Sequence, residues 1–102
     1  MGLIRVIVKE PQKDAYVTDI PNTLEGKQKV VGGYIEVVPF GIDHLLILNE
    51  EGKLIGLQPN IVWNDDVIMG TIILARNEAP EFGSIRPEEE GWMIQMLNRA
   101  SV

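Results

Sequence analysis

The side chains that could do nucleophilic chemistry are few in this 102-residue chain, which has one histidine and no cysteine. The missing cysteines exclude a thiolate nucleophile and any cysteine-ligated zinc site. His44 lies between Asp43 and an apolar run, a place more typical of an ordinary strand-end residue than of a catalytic base. Ser84 and Ser101 have no nucleophile-elbow motif around them. We therefore expect the protein not to be an enzyme.

Carboxylates are the remaining candidates for metal ligands. Adjacent pairs occur at Glu50-Glu51 and at Asp65-Asp66. Neither pair has the oxygen-ligand spacing of a calcium loop, and both are typical of solvated turns. We expect neither a metal nor another cofactor.

A binding surface is predicted from four residues: Tyr34, Glu36, Asn60 and Trp63. Glu36 lies in mid-strand between apolar neighbours and shares a strand face with Tyr34 and Val38. That face is either simply solvent-exposed or the lining of a shallow pocket or partner surface. Trp63 lies in an irregular segment after Asn60, where an aromatic is either a core plug or an exposed anchor. Two arrangements stay open, a surface within one chain and a surface across a homo-oligomer interface.

The elements that position these residues are short in the first half of the chain. Apolar alternation predicts strands over residues 3–9 and 15–20, joined as a hairpin. Asn22 as N-cap, with Glu25 three residues later, indicates a helix start. We expect this helix to end at Gly32 in the left-handed conformation.

Further strands are predicted over residues 34–39 and 44–48, the second apolar almost throughout and therefore central in the sheet. Asn49–Gly52 is typical of a bulged hairpin turn. This pattern predicts a positive φ at Gly52 and a return strand over residues 53–57.

In the last part of the chain, the sequence pattern predicts an extended piece over 61–63 and a polar exposed segment over 64–66. A strand over 67–75, interrupted by Gly70, and a loop over 76–83 are predicted next. Pro87 then opens a helix with an inward stripe of Met93, Met96, Leu97 and Ala100 and a packed Trp92. The class expected is α+β in a single domain over residues 1–102. It has a mainly antiparallel mixed sheet of about five to six short strands, a short helix after the second strand and a C-terminal helix.

The charge of the chain is acidic, with fifteen Asp and Glu against nine Lys and Arg and a net charge of −6. This balance argues against direct binding of nucleic acid or of a membrane surface. No apolar run reaches the roughly 18 residues of a membrane span, and the first residues lack the features of a signal peptide. We expect a cytoplasmic location.

Three sequence blocks follow one another at a familiar spacing: VGGYIEVV at 31–38, NEEGKLIGLQPN at 49–60 and IMGT at 68–71, preceded by IPNTL at 20–24. With them the chain resembles the domain of unknown function 3846 family over residues 3–98. The resemblance implies a small protein of bacteriophages, plasmids or other mobile elements, without an agreed enzymatic activity.

The expected function is that of a non-enzymatic binding protein of phage or mobile-element origin. It would counter or modulate a host defence system by sequestering a host protein or a nucleotide-derived signal. A nucleotide-like ligand must overcome the net charge of −6, for which Lys27, Lys29, Lys53, Arg76 and the first helix N-terminus are available. A protein partner needs no such compensation.

Two other classes of function stay open. An acidic DNA mimic that inhibits a nucleic-acid enzyme requires carboxylates aligned along one face. An enzyme would be limited to carboxylate or tyrosine acid–base chemistry.

Overall fold

The computed structural model of the chain describes residues 2–102. Its elements follow in the order β1 (Leu3–Lys9), β2 (Tyr16–Pro21), α1 (Leu24–Val31), β3 (Ile35–Phe40), β4 (His44–Asn49), β5 (Pro59–Trp63), β6 (Asp66–Met69), β7 (Ile72–Glu78), β8 (Glu81–Gly83) and α2 (Pro87–Arg99). All the strand pairings are antiparallel. The predicted α+β class, with one helix after the second strand and one C-terminal helix, is confirmed.

The main sheet has six strands in the order β2-β1-β7-β4-β3, and β8 also pairs with β7. β8 uses residues 76–78 of β7, beyond the 72–74 stretch that pairs with β1. β4 lies between β7 and β3, which confirms its predicted central place. β5 and β6 form a separate two-stranded sheet.

Side-chain alternation along the strands divides the interior between the two faces of the main sheet. The core on the α1 face consists of Ile4, Val6, Val8, Ile20, Val31, Ile47, Ile73 and Ala75. The core on the opposite face joins the sheet to α2 and to the β5–β6 hairpin and consists of Ile7, Ala15, Phe40, Leu46, Ile61, Ile68, Ile72, Leu74, Ile85, Met93 and Leu97. Each fully buried aliphatic side chain contributes about 1.5–3 kcal/mol.

The start of α1 differs from the prediction by one residue. Thr23 is the N-cap, and its Oγ1 accepts a hydrogen bond from the Gly26 N–H at 2.9 Å. The predicted cap, Asn22, is wrong because its backbone N–H donates to the Gly2 carbonyl at 3.1 Å and so continues the β1–β2 ladder. The end of α1 is confirmed, since Gly32 has the left-handed φ of 82°.

The predicted return strand over residues 53–57 is wrong. Residues 50–56 form successive turns, closed by bonds such as Ile55 N–H to Glu51 O at 3.0 Å. Gly52 is not among the glycines with positive φ. The physical reason is that both edges of β4 are already occupied by β3 and β7, which leaves no edge for a returning strand.

The predicted strand over 67–75 is two strands in different sheets, separated at Gly70, whose φ is +86°. The predicted loop over 76–83 is also wrong, because β7 continues to Glu78 and β8 returns beside it. In both places the outcome depends on which strand edges are free, which local sequence does not encode.

The inward stripe of α2 is confirmed. Met93 and Leu97 are buried, and Met96 and Ala100 pack against the same core. Trp92 is not packed as expected but 53% exposed, because it lies about 100° of helical rotation away from Met93. Within residues 2–102, neither helix is long and apolar enough to cross a bilayer.

Candidate binding groove

A groove of about 350 Å³ lies between the β3–β4 hairpin and the β5–β6 hairpin. We call this cavity the groove throughout. Its walls are formed by apolar side chains that are buried or half-buried: Val38, Leu48, Trp63, Val67, Ile68 and Met69. Its volume falls at the lower end of the range for small-ligand sites.

The strand register explains how the sequence builds the first wall. Glu36 is the cross-strand partner of Leu48 in the β3–β4 pairing, so their side chains stand side by side on one sheet face. Val38 follows Glu36 on that face. Phe40 on the same strand contacts Trp63 of β5, with ring centroids 4.3 Å apart, and this contact joins the two hairpins.

The exposed positions of the groove are acidic. Glu36, Glu50 and Glu51 line it and are exposed, and none of them has an ion-pair partner within residues 2–102. Asp66 also lines it but is neutralised by Lys53, whose Nζ lies 2.5 Å from Oδ1. The hydrogen bond from Lys53, followed by that from the Val67 N–H, lowers the pKa of Asp66. The groove therefore carries uncompensated negative charge.

The structure brings together two of the four predicted binding residues. Glu36 and Trp63 line the same groove. Tyr34 is 71% exposed but precedes β3 and lines a second cavity, which also includes Lys29 and Ile55. The two cavities share Asn49 and Glu51 and so lie on either side of the 49–55 segment.

Asn60 is not at the surface, contrary to the prediction. It is fully buried, and its Nδ2 donates to the carbonyls of Lys9 at 2.7 Å and Gly70 at 2.8 Å. Its Oδ1 accepts from Lys9 Nζ at 3.0 Å, and Lys9 is itself fully buried. Burial lowers the pKa of Lys9, against the smaller effect of Asp14. Asn60 thus satisfies a buried ammonium group instead of a ligand.

His44 belongs to a second buried polar cluster, outside the groove. Its Nε2 donates to Glu89 Oε1 at 2.9 Å, and Arg76 donates to the same oxygen at 2.5 Å. The other oxygen of Glu89 accepts from the Arg86 N–H at 2.9 Å. Burial disfavours the charge on Glu89, but the Arg86 N–H hydrogen bond and the neighbouring His44 and Arg76 side chains outweigh it and lower the pKa of Glu89. This cluster ties α2 to β4 and β7.

The model of the family described as "Domain of unknown function (DUF3846)" matches residues 4–98. The chain belongs to this family. The DUF3846 match covers β1 to nearly the end of α2 and therefore includes every residue of the groove. No curated protein and no solved structure matches the chain.

The cations of this DUF3846 domain are mostly engaged within the fold. Lys27 is buried, with Nζ 3.1 Å from Asn22 Oδ1 and 4.8 Å from the centre of the Phe82 ring. Arg76 is held by Glu89 and Lys53 by Asp66, whereas Lys29 is exposed beside the second cavity. In the described part of the chain, no three His, Asp or Glu side chains are grouped so that they could hold a metal.

Most groove residues were not singled out as binding residues from sequence, among them Leu48, Glu50, Glu51 and Met69. A signal for Leu48 exists, because the 41–43 turn sets the β3–β4 register and so places Leu48 opposite Glu36. Met69 has no such signal, since the β5–β6 hairpin reaches the groove only through tertiary packing.

Proposed function

We propose that this DUF3846 protein is a non-catalytic binding module that holds a basic segment of a protein partner in the groove. The observation that carries the proposal is the combination of apolar walls and exposed, unpaired carboxylates at Glu36, Glu50 and Glu51. A lysine or arginine side chain matches this combination, because its apolar stem packs along hydrophobic surface while its charged head stays at the edge. Trp63 also offers an aromatic face to such a cation.

A protein partner is favoured over a nucleotide-derived ligand by the charge of the groove. Phosphate groups would be repelled by the three carboxylates, and Lys27 and Arg76 already have partners inside the fold. The proposed partner is a host protein, because the family resemblance implies that this protein comes from a mobile element. The DNA-mimic alternative gains less support, because Asp19 and Glu90 pair with Arg5 instead of forming a free acidic row.

The experiment is affinity capture from a lysate of the source cells with two charge-matched variants. Glu36→Lys reverses a groove charge, and Glu88→Lys makes the same charge change at an exposed residue of α2 that does not line the groove. We expect one protein to be retained by the wild type and by Glu88→Lys, and to be lost with Glu36→Lys. Cross-linking should then place lysine or arginine residues of that protein next to Glu36.

Retention should also weaken as salt is raised, because the exposed charges of the groove are screened. If Glu36→Lys remains folded and captures the same proteins in the same amounts as the wild type, the groove is not the binding site. Folding of each variant is checked by its urea unfolding midpoint.

A further inference from the structure

The outer edge of β3 has a defined set of free backbone groups. The Glu50 N–H donates to the Tyr34 carbonyl at 2.9 Å, and these two residues continue the register that pairs Ile35 with Asn49. Because the hydrogen-bonding direction alternates along an antiparallel strand, Glu36 and the other even-numbered residues of β3 bond to β4. Ile35, Val37 and Pro39 therefore direct their backbone groups away from the sheet.

β3 is the last strand of the main sheet, so no strand of the described chain covers this edge. Ile35 and Val37 each offer an N–H and a carbonyl there. Pro39 has no N–H to offer, which limits the open edge to about three residues, 35–37. An extended peptide can bond to such an edge through its own backbone.

The side chains on either side of this edge specify what the added strand must contain. In antiparallel addition, Ile35 and Val37 form the hydrogen-bonded pairs, and Glu36 faces a residue in the closer, non-hydrogen-bonded pair. That residue lies on the groove side, next to an exposed carboxylate. Its two neighbours lie on the other face, beside Ile35 and the 40% exposed Val37. The complementary segment is therefore apolar–basic–apolar.

We infer that the partner binds as an additional antiparallel β-strand on β3, with backbone bonds at Ile35 and Val37 and a basic side chain opposite Glu36. This inference rests on the proposed function and specifies the conformation and sequence of the segment. A second copy of the chain is a poor occupant, because pairing of two β3 edges centred on this stretch would set Glu36 against Glu36. Like charges directly opposite are destabilising.

The test uses the peptide acetyl-Val-Lys-Val-Lys-Val-amide as the probe. Trp92→Phe leaves Trp63 as the single tryptophan, since the chain has two, and its fluorescence reports binding at the groove. In the added strand the valine N–H groups face β3 and the lysine N–H groups face away. We expect N-methylation of the valine amides to weaken binding by at least about tenfold, as the loss of two backbone hydrogen bonds requires. N-methylation of the lysine amides should change binding by less than about twofold, because those groups lose no bond.

Protein variants test the same edge from the other side. Val37→Pro removes an outward N–H without removing a bond to β4, and Val37→Thr keeps that N–H as the matched control. We expect Val37→Pro to weaken peptide binding and Val37→Thr to leave it nearly unchanged. If Val37→Pro does not fold, the two methylated peptides still decide the question on the unaltered edge.

The possible failures are distinguishable. Equal binding of both methylated peptides, with loss of binding in Glu36→Lys, overturns strand addition and leaves groove binding standing. Peptide binding that Glu36→Lys does not weaken overturns the proposed function. Failure of the wild type to bind the peptide, while the groove still captures its partner, overturns strand addition alone.

Discussion

At the scale of single residues, the fold contains a buried ammonium group, that of Lys9, which is hydrogen-bonded to neutral acceptors and not to a carboxylate. Lys9 Nζ donates to the Glu10 carbonyl, Asn60 Oδ1 and Ser101 Oγ at 3.0, 3.0 and 3.1 Å. These neutral acceptors satisfy its three N–H donors. Asn60, which the sequence pattern assigns to a binding surface, lies in β5 and is needed there to keep a buried charge hydrogen-bonded.

Replacement of Asn60 by leucine should lower the free energy of unfolding by about 3 kcal/mol, because it removes one of the three acceptors of the buried Lys9 ammonium group and the amide that donates to two buried carbonyls. Urea unfolding measures the change. In a double-mutant cycle, Lys9→Met combined with Asn60→Leu should cost less than the sum of the two single changes. Additive costs would show that the two side chains are not coupled.

Gly70 and Gly56 form a matched pair for the cost of a positive φ. A Cβ at Gly70 would lie 2.6 Å from Leu57 Cδ1, whereas one at Gly56 would meet nothing within 4 Å, and both residues have positive φ. We expect Gly56→Ala to destabilise by about 1 kcal/mol through its backbone conformation alone, and Gly70→Ala by about 2 kcal/mol or more. Thermal unfolding compares them, and equal losses would mean that Leu57 moves aside without cost.

At the scale of elements, the attachment of α2 to the sheet depends on ionised Glu89. Its pKa is lowered in the folded state, where the Arg86 N–H, His44 and Arg76 outweigh the effect of burial. A carboxyl group with a lowered folded pKa contributes stability above its unfolded pKa, about 4.3 for Glu. That contribution is lost as the pH falls through the folded pKa.

The unfolding free energy of the wild type should therefore fall below about pH 4.3 more steeply than that of Glu89→Gln. At pH 7 the variant should be destabilised by about 3 kcal/mol, because Arg76 loses its buried counter-charge. Urea unfolding across the pH range measures both effects. Glu88→Gln, at an exposed neighbouring position, is the control, and parallel pH profiles for wild type and Glu89→Gln would contradict the prediction.

At the scale of the whole molecule, both outer edges of the main sheet carry a proline whose missing N–H faces outward. On β3 this residue is Pro39. On β2 this residue is Pro21. The Asn22 N–H donates to the Gly2 carbonyl in the β1–β2 register. Because the hydrogen-bonding direction alternates along an antiparallel strand, the backbone groups of Pro21 point away from β1. Prolines at sheet edges limit the pairing of one molecule with another.

The variant with Pro21→Thr and Pro39→Thr together should self-associate, since each edge regains a free N–H next to β-forming residues. Sedimentation velocity over increasing concentration measures this association. Association should be stronger at high salt, because the net charge of −6 opposes it and is then screened. Pro11→Thr, in the turn between β1 and β2, is the control and should behave as the wild type does.

Much of the secondary structure could be predicted because it depends on neighbouring residues. Apolar alternation gives β1, the nearly continuous apolar run over 44–48 gives β4, and Gly32 ends α1 as expected. Among the groove residues, Glu36 could be predicted from sequence, because the strand pattern shows a charged residue on an otherwise apolar strand face. The burial of Asn60 could not be predicted, since its partner Lys9 is distant in sequence and reads locally as the end of a strand.

What sequence by itself determined is therefore the class of the protein: an acidic α+β domain with short strands and a helix at each predicted place. Only tertiary structure decided that residues 50–56 turn, that Gly70 divides two sheets and that Glu36 and Trp63 meet in one groove. The physical reason is that local periodicity states which face of a strand is apolar, but not which edge it pairs with. Pairing depends on the edges left free by the rest of the chain, and the groove lies between two hairpins that no local pattern connects.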